Sequence, residues 1–133
     1  MNTKENINAG DIVSIDFDLA LNRDTYAQTT IRKHEPRCKV FYCFKNEDTR
    51  EDGEDRCTHD TFTEICSQIA ETLTTCKECH SGTEYNLVIT LSDKRTFTFK
   101  NSGLSPETLS AVISTLSQHI DEFTFLPAFI PYL

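Results

Sequence analysis

The chain has 133 residues, of which 38% are hydrophobic and 26% charged, with a formal net charge of −8. One domain of this size can bury roughly two-thirds of its unfolded surface. The acidity argues against nucleic acid, because neutralising phosphates takes clustered Lys and Arg, and the one basic stretch (Arg32, Lys33, Arg37, Lys39) contains Glu35 and leads into acidic sequence.

No apolar run approaches the roughly 20 residues that span a bilayer, so no membrane contact is expected. The opening residues lack the apolar stretch of an export signal, so the expected setting is the cytoplasm, with the six cysteines reduced.

Residues 1–10 are polar and expected to be a flexible N-terminus, ahead of a single α+β domain over 11–133. Val13, Ile15, Phe17, Leu19 and Leu21 alternate with Ser14, Asp16 and Asp18, the period of a half-buried strand. Asn22–Asp24 reads as a turn and Thr25–Arg32 as a return strand. Lys39–Lys45 follows as a third strand, apolar on both faces. Residues 46–60 are expected to form an acidic loop, long for a connection and therefore either mobile or a binding element.

Thr61 and Glu64 have the spacing of a capping box, and Phe62, Ile65, Cys66, Ile69, Leu73 and Cys76 fall on one helical stripe that Gly82 would end. A hairpin is expected next, with Tyr85, Leu87, Ile89 and Leu91 alternating, a turn over Ser92–Arg95, and Phe97 and Phe99 returning. The second helix has Ser105 as its cap, Pro106 at its first position and Leu104 stapled to Leu109. An apolar tail over 123–133 closes the chain, with a last strand expected at its start and Pro127 and Pro131 barring a continuous helix or central strand. The expected fold is α+β: an antiparallel sheet of five or six strands in βββαββα order, with two amphipathic helices packed on one face.

The pattern Cys76-Lys77-Glu78-Cys79-His80 admits haem attachment, dithiol redox chemistry or zinc. Haem attachment of this kind belongs to exported proteins. A reactive dithiol gains thiolate stability at a helix N-terminus, whereas this pair is expected in a last turn, where the dipole raises a thiol's pKa. Zinc remains, on Cys76, Cys79 and His80, and a closed site needs a fourth ligand. Cys57 and His59 are the obvious partners by spacing, but an intervening helix would hold the two groups roughly 25 Å apart. Cys43, Cys66 and Cys76 therefore read first as small buried hydrophobes.

Asp16 and Asp18 share a strand face roughly 7 Å apart. They suit acid–base chemistry, or equally the wet face of a sheet. Segment 48–53 fails as a calcium loop, since Arg50 stands at a ligand position, and no nucleophile elbow, zincin motif or phosphate cradle occurs.

The order of elements resembles that of small acidic adaptor proteins such as type III secretion chaperones, without their leading helix. The resemblance is one of topology. The functional expectation is a noncatalytic protein-binding module (an inhibitor, immunity-type protein or adaptor) with a protein partner, basic in character. Glu47, Asp48, Glu51, Asp52, Glu54 and Asp55 would steer it, and Phe125, Phe129 and Tyr132 would supply contact area. The same tail is a candidate homodimer surface. The alternatives are a zinc-stabilised domain on Cys76, Cys79 and His80, and a small enzyme using Asp16 and Asp18.

Overall fold

The alternation of β1 (Ile12–Asn22) decides the architecture, because its apolar side chains need a cover on one face only. In the computed structural model, which describes residues 7–74, 84–101 and 103–133, Ile15, Phe17 and Leu19 are at most 1% exposed. A register shift between Ile12 and Ser14 turns Ile12 inward in place of Val13. The bulge swaps faces by one residue, which the alternation alone does not reveal.

Hairpins build outward on both sides of β1. Asn22 Oδ1 accepts from the Asp24 and Thr25 backbone N–H groups at 2.8 and 3.0 Å, turning the chain into β2 (Thr25–Arg32) and then β3 (Cys38–Lys45). The 46–60 stretch is not a loop throughout: it contains β4 (Arg50–Cys57), an edge strand pairing antiparallel with β3 over its whole length. Its run of charges gives no strand signal. The backbone ladder to β3 overrides that weak local preference at an edge where most side chains stay wet.

Helix α1 (His59–Thr74) follows. It starts before Thr61: the Thr58 hydroxyl accepts from the Thr61 backbone N–H at 3.1 Å, and the Thr58 carbonyl from Phe62 N–H at 3.1 Å. Thr58 therefore caps, and Glu64 instead accepts from Gln68 Nε2 at 2.8 Å. The stripe is otherwise as expected, with Phe62, Ile65, Cys66, Ile69, Ala70 and Leu73 buried. Cys76 and Gly82 lie outside the described residues.

β5 (Glu84–Leu91) and β6 (Thr96–Lys100) form the second hairpin, and the sheet order is β4-β3-β2-β1-β5-β6, antiparallel at every step. α2 (Pro106–His119) opens as its sequence implies, with Ser105 accepting from Thr108 N–H at 3.1 Å and Leu104 and Leu109 both fully buried.

No last strand forms. Two 3-10 segments, Asp121–Phe123 and Leu126–Tyr132, lay Phe123, Leu126 and Phe129 into the core. The result is one hydrophobic core between a six-stranded sheet and two helices, an α+β fold. Among the described residues no helix is long and apolar enough to cross a membrane.

Candidate functional site

Directly opposed residues of neighbouring strands share a face of the sheet. The row Ile15, Ile31, Val40 therefore carries Asp55 to the helix-covered face, and the row Leu19, Ala27, Phe44 carries Glu51 there. Between them Gly53 stands opposite Tyr42, where a Cβ would lie only 2.9 Å from the phenol oxygen. Asp52 and Glu54 take the alternate, open face, and Glu47 and Asp48 sit in the turn held by Asn46 Oδ1.

The C-terminal segment meets the inner side of this edge. Phe125 stacks on Phe44 with ring centroids 5.2 Å apart and lies 6.5 Å from Tyr42, tilted. Phe129 meets Phe44 edge-on at 6.3 Å. Of the three aromatics expected as contact area, Phe129 is only 2% exposed and belongs to the core, Phe125 is half-buried, and Tyr132 is 61% exposed. The tail closes over its own core, and its alternation of sides follows from the tight 3-10 turn.

Together these pieces frame a groove of about 460 Å³, with Tyr42, Phe44 and Phe125 beside Glu51, Asp121 and Glu122. At its side the Glu122 and Asp55 carboxyls hydrogen-bond each other. That contact holds Glu122 above the usual carboxylate range and Asp55 below it. Arg37 and Arg56 stand close enough to favour ionised Asp55. Tyr42, Phe44, Asp121 and Glu122 are absent from the sequence-based set. The only signal for the first two was that β3 is apolar on both faces, and nothing in spacing joins β4 to residues seventy positions away.

The open face holds the second candidate. Asp16 accepts from Thr30 Oγ1 at 2.6 Å. Burial, followed by the nearby Asp16 charge, pushes the Asp18 carboxyl above its ordinary range, against hydrogen bonds from Asn86 and the Thr29 backbone. Asp18 lines a groove of about 530 Å³ with Arg23, Tyr26, Gln28, Asn86 and Lys100. Its partial burial distinguishes it from a flat wet face. Farther along that face Arg32, Lys39 and Arg56 form one cross-strand row, so the basic stretch of the sequence gains a member from β4.

Cys76, Cys79 and His80, the expected zinc ligands, lie outside the described residues. Among the described residues no group of three or more His, Cys, Asp or Glu is arranged to hold a metal ion. His59 Nε2 instead contacts the His34 carbonyl at 2.7 Å and Glu35 Oε1 at 3.6 Å, tying the start of α1 to the β2–β3 link.

An α+β sheet with an acidic edge and an aromatic groove is the class that fold and site define. No protein-family model, no curated protein and no solved structure matches the chain.

Proposed function

We propose that the chain is a noncatalytic protein-binding module, of the inhibitor, immunity-type or adaptor kind, whose partner offers a basic segment to the groove between β4 and the C-terminal tail. The observation that carries this reading is the Asp55–Glu122 contact. Two carboxyls in hydrogen-bonding contact repel once both are ionised. Arg37 and Arg56 offset the charge of Asp55, whereas the charges acting on Glu122 are those of Asp55 and Asp121, so a positive charge is wanted beside Glu122. A Lys or Arg side chain from a partner supplies one, and the rings of Phe44 and Phe125 beside it add cation–π attraction. The remaining acids of β4 and its turn steer such a partner from a distance, as expected of Glu47, Asp48, Asp52 and Glu54. An acidic single domain of this kind is proposed to act in the cytoplasm.

The test is kinetic. Partners captured on the immobilised chain are measured against the wild type and a Glu51→Gln/Glu122→Gln variant at low and physiological salt. Association should slow several-fold in the variant, and its salt dependence should flatten. Phe125→Ala should instead raise the dissociation rate. An unchanged salt dependence removes the groove from the reading.

A second reading rests on Asp18. Its half-buried carboxyl, pushed above the ordinary range by burial, lines a groove with Asn86 and Lys100 and suits a site for a small polar molecule, with Asp18 as the acid–base group and Asp16 its neighbour. Substrate-like ligands that shift Asp18 and Asn86 resonances in the wild type but not in Asp18→Asn would favour it over the first reading.

A further inference from the structure

Three of the six cysteines gather where the sheet edge meets α1. Cys38 opens β3 and Cys57 closes β4, directly opposite each other in the antiparallel register. Both lie on the helix-covered side, 0% and 6% exposed, and their thiols are in hydrogen-bonding contact. Cys66, on the buried stripe of α1, is within electrostatic reach of both. Opposed residues in an antiparallel pair have Cα atoms roughly 4.5–5.5 Å apart, inside the roughly 4.4–6.8 Å range that a disulfide spans. Cys43 is not the buried hydrophobe expected of it: it is only partly buried, between Gln28 and Asp52 on the open face.

We propose that Cys38 and Cys57 are an oxidative modification site, converted by a low-molecular-weight disulfide of the glutathione class into a cross-strand disulfide that staples the edge strand β4 to β3. The Cys57 thiolate attacks one sulfur of the oxidant and expels the first glutathione thiolate. The Cys38 thiolate then attacks Cys57 Sγ in the mixed disulfide and expels the second. The protein pair loses two electrons and two protons, and the oxidant becomes two molecules of reduced glutathione.

Burial pushes the Cys57 thiol up to about 11 and that of Cys66 to about 12. Exchange is therefore slow at neutral pH, quickens in alkali, and proceeds through opening of the edge strand. The staple fixes the end of the strand that carries Glu51 and Asp55, whatever the groove binds.

The native full-length chain is equilibrated at mildly alkaline pH with oxidised and reduced glutathione, alkylated, and mapped by tandem mass spectrometry. The expected product is lighter by two hydrogen atoms and joins Cys38 to Cys57. It is absent in Cys38→Ala and retained in Cys66→Ala. Closing a loop of about 20 residues should also shift the folding equilibrium roughly 100-fold toward the native state. Cys38 and Cys57 still alkylated under excess oxidant, each left carrying glutathione, or joined to Cys66, would overturn the proposal. The wild-type map decides this by itself if a variant fails to fold.

Discussion

Gly53 governs what the inner side of β4 can hold. A Cβ there would stand 2.9 Å from Tyr42 Oη and 3.1 Å from its Cζ. The obstacle is the far end of a flexible side chain, so the ring yields before the backbone does. Gly53→Ala should change stability by no more than about 0.5 kcal/mol while displacing the Tyr42 ring, seen as shifted aromatic resonances. A loss of several kcal/mol would mean the ring is locked. Asp18 offers a prediction of opposite kind. Its folded pKa lies above the unfolded one, chiefly through burial, so its charge opposes folding. That cost is fully present above the folded pKa and is relieved as pH falls through it toward the unfolded value. Asp18→Asn should therefore be the more stable protein at neutral pH, by up to about 0.5 kcal/mol. The wild type should close the gap on acidification in paired urea titrations. A gap that widens in acid would reverse the assigned sign.

At the scale of elements, Thr58 and Thr61 distinguish two starts for α1. Thr58→Ala removes the hydroxyl that accepts from Thr61 N–H and should cost about 1 kcal/mol. Thr61→Ala keeps that backbone bond and should cost clearly less in the same denaturation assay. Equal losses would restore Thr61 as the cap. The tail divides in the same way. Phe129→Ala opens the core and should cost about 3–5 kcal/mol. Phe125→Ala, half-buried against Phe44, should cost a fraction of that. β1, β2, the second hairpin and α2 were legible because alternation, an Asn turn and a Ser-Pro cap are local signals. β4 was not, since REDGEDRC carries no apolar alternation and its pairing with β3 is a tertiary fact. For the same reason Glu51 and Asp55 could be read as acidic and adjacent, but their meeting with Glu122 and Phe125 could not.

At the scale of the whole molecule, a net charge of −8 and an edge strand of eight residues, unpaired on its outer side among the described residues, combine. An unpaired strand edge invites a second copy to add to the sheet. A symmetric pairing of two β4 strands centred on Gly53 would set Asp52 against Glu54, Glu51 against Asp55, and Arg50 against Arg56. Every one of those pairs is like-charged, on both faces of the joined sheet, and like charges directly opposite each other destabilise a strand pair. In that register the edge repels its own copy, and on the binding role proposed above the same charges would favour a basic strand. Two changes should remove the block. Glu51→Lys with Asp52→Lys converts the four acid-against-acid contacts of the symmetric pair into Lys–Asp and Lys–Glu contacts. The wild type should sediment as a monomer across salt concentrations, and the double variant should dimerise at low salt and dissociate as salt screens the new pairs. A double variant that stays monomeric at low salt would show that the edge is closed by something other than its charge pattern.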